Sequence, residues 1–259
     1  MTGIGHSRRG FTLVEMLLVV SIIGVLVGLF VPALHGGMEL ARDVQCKSNL
    51  RVLGTGVLTY AARHGGAFPP VAARGDPVRY WWGADGNPPD YSAGVLTDCL
   101  DREAGDEDGL FECPSQPWGT YVPQGRSRRP TTTYGYNGYY LCPASVPGWS
   151  AAIGRRPWRT TESVKDPGKV FVLADTLLPW RNQVKSCCLL DPPWTYTGRT
   201  WRRNRFTTLC FRHLGRANVF FADGHVDGVE PTALVDEEHE IGYVGESNAP
   251  HYVPDWRQW

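Results

Sequence analysis

From Phe11 to Leu34 the chain reads FTLVEMLLVVSIIGVLVGLFVPAL, uncharged throughout except for one carboxylate, Glu15. A helix over this stretch is about 36 Å long at about 1.5 Å per residue, enough to cross a hydrocarbon core of about 30 Å. The basic pair Arg8-Arg9 lies on one side only. Cationic flanks stay on the cytoplasmic face, so the sequence predicts a single span with a cytoplasmic N-terminus and an external body. A carboxylate inside such a span costs about 2.5–3.5 kcal/mol even on lenient scales, which makes an idle Glu15 improbable on energetic grounds. It calls for a cationic partner in the membrane, and cutting the chain just before Phe11 would supply an α-amino group.

Three simpler readings share the basic start and the apolar run. A secretory signal needs a small-residue cleavage site after the run, and Val31-Pro32-Ala33 is a poor one. A twin-arginine signal fits Ser7 to Phe11 but fits Thr12 and Glu15 less well. A plain anchor leaves Glu15 unexplained. The order of features, a basic leader ending at Gly10 followed by Phe11-Thr12-Leu13-Val14-Glu15 and the apolar helix, resembles the leader of type IV pilins and type II secretion pseudopilins. The resemblance implies cleavage after Gly10 by a prepilin peptidase and N-methylation of Phe11. It also implies pairing of Glu15 with the amine of a neighbouring subunit during assembly. Gly24 and Pro32 fall where that family carries helix-loosening residues.

Helical periodicity continues beyond Pro32. Cys46, Leu50, Leu53, Val57 and Ala61 form one apolar stripe, while Asp43, Lys47 and Arg51 recur every fourth residue on another face. One helix is therefore expected from Phe11 to His64, weakened at Pro32 and Gly36-Gly37 and ended by Gly65-Gly66. The expected divisions are a leader over 1–10, a transmembrane and assembly helix over 11–34, an amphipathic continuation over 35–64 and a headgroup over 65–259. The headgroup holds 30 Gly and 20 Pro less those of the helix, with many of the 10 Trp and 11 Tyr, a text of short strands and frequent turns. The fold class expected is α+β and pilin-like: a long N-terminal helix packed on a loop-rich, antiparallel β headgroup.

Within the headgroup, Lys169–Ala174 reads as a buried strand. The runs around Asp223-Gly224 read as a hairpin in which Phe221 faces Val226. Nine residues separate His213 from Asp223-Gly224. Together with Cys46-Lys47-Ser48-Asn49-Leu50-Arg51, Phe68-Pro69, Cys113-Pro114-Ser115 and Tyr134-Gly135-Tyr136-Asn137, this resembles a large bacterial group of pseudopilin-like proteins marked by a C-terminal His-x9-Asp-Gly motif. The motif does not itself establish a chemistry. His213 bonded to a backbone carbonyl or to Asp223 is the plain reading; a divalent metal held by His213, Asp223, His225 and Asp175 is the sharper one.

Seven cysteines, Cys46, Cys99, Cys113, Cys142, Cys187, Cys188 and Cys210, lie beyond the apolar run. Outside the cytoplasm they are disulfide candidates, with Cys46 a candidate link between helix and body. No paired C-x-x-C spacing suggests a zinc cluster. The acidic run Asp101–Asp108 fits no complete EF-hand loop and reads as solvated, as does Arg126-Ser127-Arg128-Arg129. Lys plus Arg balance Asp plus Glu at 26 each, which gives no field for nucleic acid. No Gly-x-Ser-x-Gly elbow, His-Glu-x-x-His or nucleotide loop is present, so no enzyme and no resident cofactor is expected.

The function expected is structural: a subunit held in the bacterial inner membrane with a periplasmic body. It would be processed by prepilin peptidase and handed by an inner-membrane assembly platform to other pilin-like subunits, in a pseudopilus or surface filament. The competing expectation is an anchored binding module for glycans or exported substrates, because tryptophans such as Trp81-Trp82, Trp158 and Trp201 can stack on sugar rings.

Overall fold

The computed structural model describes residues 12–75, 77–84, 90–100, 109–116, 121, 131–143 and 153–258. Helix α1 runs over Leu13–Arg63 without interruption, through Pro32 and Gly36-Gly37. It ends where Gly65 and Gly66 take φ of +61° and +85°, conformations open to glycine, and the Gly66 amide donates to Ala61 O at 2.8 Å. The chain forms two compact units, 1–41 and 42–259, that divide within this helix.

In the first unit the large apolar side chains from Leu13 to Val31 are exposed, with Leu13 at 81 % and Val31 at 45 %. Ser21, a polar residue in this stretch, returns its hydroxyl to Leu17 O at 2.8 Å, so it leaves no unmet donor in lipid. Length, composition and exposure support membrane anchoring by this segment.

The second unit contains the rest of α1 and the headgroup. Its strands are β1 (Ala72–Ala73), β2 (Arg79–Tyr80), β3 (Tyr134–Tyr136), β4 (Phe171–Asp175), β5 (Leu178–Trp180), β6 (Gln183–Lys185), β7 (Trp194–Tyr196) and β8 (Trp201–Arg203). They continue with β9 (Leu209–Cys210), β10 (Ala217–Phe221), β11 (Val226–Val229), β12 (Ala233–Asp236) and β13 (Ile241–Tyr243). The main sheet has the order β11-β10-β4-β3 and is antiparallel throughout. A smaller sheet, β12-β13-β9, and three two-stranded ribbons complete the body. The fold is thus α+β, as the sequence predicts.

The predicted stripe is the face that packs: Cys46, Leu50, Leu53, Val57 and Ala61 are all fully buried. Gly54 lets β10 approach this face, for a Cβ there would lie 2.3 Å from the Phe220 ring. Behind the helix, β4 and β10 are buried at every position, as expected of central strands covered on both faces. A buried amide, Asn137 Nδ2, donates to Phe171 O and Tyr252 O at 2.9 Å and ties the C-terminal segment to the sheet.

One expectation is corrected here. The Asp223-Gly224 hairpin is not a two-residue turn: Gly224 N donates to Phe221 O at 3.0 Å and Phe221 N to His225 O at 2.9 Å, closing a three-residue loop over Ala222, Asp223 and Gly224. Gly224 sits at φ +99°, taking the extra left-handed residue of a bulged hairpin, so Val226 pairs with Phe220 and not with Phe221. The disulfide candidates Cys46, Cys99, Cys113, Cys142, Cys187, Cys188 and Cys210 are present as thiols in this structure. Several are directed at other acceptors, Cys187 at Leu189 O (3.3 Å), Cys210 at His239 O (3.4 Å) and Cys46 at a carboxylate.

Among the described tryptophans, several wedge elements together. Trp81 and Trp82 are buried, and Trp201 meets Trp256 edge-on at 5.3 Å. Trp158 is exposed to 41 % but spends its ring N–H on Phe68 O at 2.7 Å. Trp118, Trp149 and Trp259 lie outside the described residues, as do the Asp85–Pro89 turn, the Asp101–Asp108 run and the Arg126–Arg129 loop.

Candidate functional sites

The first site is the start of α1. Gly10 and Phe11 lie outside the described residues. Thr12 and Glu15 form a capping box: Glu15 Oε2 accepts from Thr12 N and from Thr12 Oγ1, both at 2.8 Å, and Glu15 N donates to Thr12 Oγ1 at 3.3 Å. Glu15 therefore carries a local role besides any intersubunit one. The sequence signal for it is a Thr three residues before a Glu at the head of an apolar run.

The second site is buried. Four elements bring together Cys46 from α1, Cys113 from the loop before β3, Asp175 from the end of β4 and His213 from the turn after β9. One donor atom from each lies within 4.8 Å of all the others. Their exposures are 0 %, 2 %, 0 % and 4 %. His213 Nε2 lies 3.2 Å from both Cys113 Sγ and Asp175 Oδ2, and Cys46 Sγ lies 3.2 Å from Asp175 Oδ1.

Local structure fixes each of these groups. Leu214 and Gly215, at φ +54° and +79°, make a tight turn in which His213 and Arg216 exchange both backbone hydrogen bonds, and this aims the imidazole inward. The Cys113 amide donates to Thr133 Oγ1 at 2.7 Å. Asp175 Oδ2 also accepts from Asn218 N at 2.8 Å, across the β4–β10 pair. The Tyr134 hydroxyl donates to Cys46 Sγ at 3.4 Å. On the far side of the ring, His213 Nδ1 faces Asp43 Oδ1 at 3.7 Å, and that oxygen accepts from Asn218 Nδ2 at 2.7 Å.

The electrostatics follow from this packing. Burial works against charge on His213, yet its contacts with Asp175 and Cys113 outweigh it and raise its pKa to about 10. Burial likewise opposes ionisation of Asp175, and His213 with Arg212 holds the carboxyl below its ordinary value. The two thiols diverge. Burial pushes Cys46 well up, while Cys113 falls to about 6 because the Cys46 thiol, Arg212 and His213 together overcome burial. The cluster is a buried knot of two sulfurs, one carboxylate and one imidazole, and none of these four groups is exposed to receive a substrate.

Of the four residues that the sequence suggested for a metal, the structure brings only Asp175 and His213 into this group. Asp223 and His225 form their own half-exposed pair at the hairpin tip, 2.5 Å apart. Cys46 and Cys113, read as disulfide candidates, take their places. Their separation along the chain hid the grouping, because each ligand comes from a different element and no short spacing marks it.

Comparison with known proteins bears on the first site. A family model described as the prokaryotic N-terminal methylation motif matches residues 5–31. The competence protein ComGC of Halalkalibacterium halodurans is 37 % identical over 59 residues, 23 % of this chain and 58 % of that protein. The chain thus spans less than two thirds of the relative's length. No solved structure matches the chain.

Proposed function

We propose that this type IV pilin-like protein is a structural subunit that polymerises through its N-terminal helix into a pseudopilus or related filament. The observation that carries the reading is the coincidence of a prepilin-type motif over residues 5–31 with an exposed, apolar stretch of α1, Leu13 to Val31, whose one charge is Glu15. Prepilin peptidase would cut after Gly10 and methylate Phe11. The subunit would then wait as a single-pass inner-membrane protein with its body in the periplasm.

In the waiting subunit Glu15 caps its own helix through Thr12. On assembly the carboxylate exchanges that bond for the Phe11 amine of a neighbour, and the exposed faces from Leu13 to Val31 exchange lipid for other helices. The amine is a full positive charge in a medium of low dielectric, so it displaces the neutral Thr12 donors. ComGC, named as a competence protein, is similar to this chain over 58 % of its length, which supports a subunit of a filament-forming machine.

Glu15→Gln tests the exchange. Glutamine at that position still closes a capping box, so folding and processing are retained while the charge is lost. The expected outcome is a processed subunit that fails to enter multimers trapped by photo-crosslinkers at Leu17 or Ile22. Unimpaired incorporation would reduce Glu15 to a helix cap. Wild-type protein that gives no such multimers would favour an anchored binding module.

A further inference from the structure

We propose that Cys46, Cys113, Asp175 and His213 form a structural binding site for one thiophilic divalent cation of the zinc type. Two thiolates, one imidazole and one carboxylate are a donor set suited to zinc, and four protein ligands close a tetrahedron with no open position. With bonds of about 2.0 Å to N or O and about 2.3 Å to S, tetrahedral edges are about 3.3–3.8 Å. Three contacts along the cluster are each 3.2 Å, Cys46 meeting Asp175 Oδ1 and His213 meeting Oδ2 and Cys113 Sγ, and one donor atom from each residue lies within 4.8 Å of the other three. Small side-chain adjustments fit the set around one ion.

The surroundings match what such a site needs. A metal-bound histidine ordinarily donates its other ring nitrogen to a carboxylate, and His213 Nδ1 faces Asp43, which is itself held by Asn218 and Lys47. Asn218 N orients the Asp175 carboxylate and the Tyr134 hydroxyl supports the Cys46 sulfur. As ligands both sulfurs must be thiolates and His213 Nε2 must be unprotonated, so binding releases protons. Two thiolates and a carboxylate then exceed the charge of the cation by one negative unit, which the neighbouring Arg212 offsets, its Nη2 anchored on Thr176 O at 2.9 Å. Without an ion, His213 Nε2 offers a single proton to both Cys113 and Asp175. Bound, the ion would tie α1 to the end of β4, to the Cys113 loop and to the turn before β10, which makes it a clamp between helix and sheet.

The test uses the full chain extracted from membranes in detergent without chelator. Elemental analysis should find about one zinc per chain. Cys113→Ser and His213→Gln should each reduce it to near none, and Cys99→Ser, outside the cluster, should leave it unchanged. Because the variants can misfold, the wild-type protein reconstituted with cobalt(II) provides an independent reading. Thiolate-to-cobalt charge-transfer absorption with intense tetrahedral d–d bands is expected. A metal-free protein with Cys46 and Cys113 joined in one disulfide-linked peptide would overturn the site. So would metal that persists in both variants, or a cobalt spectrum lacking the thiolate band.

Discussion

Two side chains show how much hangs on single groups. His251 stacks on Phe171 with ring centroids 4.6 Å apart, and its Nδ1 lies 2.9 Å from Lys169 O. Burial holds its pKa below 6.5; the Lys169 carbonyl favours the charged ring, and the Lys169 charge opposes it. Below the ordinary value the unfolded chain takes up a proton that the folded chain resists. The stability His251 contributes is therefore intact above about pH 6.5 and is lost as pH falls through its folded value. His251→Phe keeps the stack and removes the titration. Its urea midpoint should fall less than that of the wild type between about pH 7.5 and pH 5. Equal falls would show that His251 is not the sensor. Glu15 is the second such side chain, since one carboxylate serves first as a cap and then, in our reading, as an intersubunit ligand.

At the scale of elements, the turn between β9 and β10 carries a local conflict. Both of its central residues have positive φ, and the first is Leu214, a bulky residue 71 % exposed and held at +54°. A left-handed backbone costs a non-glycine residue about 1–2 kcal/mol, and asparagine tolerates it better. Leu214→Asn should therefore stabilise the body by about 1 kcal/mol, read as a raised urea midpoint with an unchanged slope. A loss of stability would mean that the Leu214 side chain has a role in packing that its exposure does not reveal.

The same elements show where the sequence is and is not legible. The stripe from Cys46 to Ala61 could be read because helical periodicity is a local property and the core enforces it without exception. The strand at β4 was legible for a similar reason, as an apolar run bounded by turn residues. The hairpin is legible but its register is not, because an Asp-Gly pair serves both a two-residue turn and a bulged three-residue loop. The turn at Leu214-Gly215 was missed because leucine gives no sign of positive φ. The buried cluster was beyond reach: its four ligands sit on α1, a loop, β4 and a turn, and only tertiary packing brings them together. Asp175 and His213 belong both to the expected metal group and to this cluster, whereas Asp223 and His225, expected at the same rim, pair with each other at the hairpin tip.

For the whole molecule, the two compact units fit two tasks. The 1–41 unit presents an apolar surface suited to lipid and to other helices, while the 42–259 unit buries the second half of the same helix in a β body. Everything said of polymerisation depends on the first unit being processed at its head. Intact-mass measurement of the protein extracted from its native membrane tests that most directly. The expected mass is that of a chain beginning at Phe11 and carrying one added methyl group. A chain that retains Met1 to Gly10, or one trimmed beyond Leu34, would contradict the filament reading.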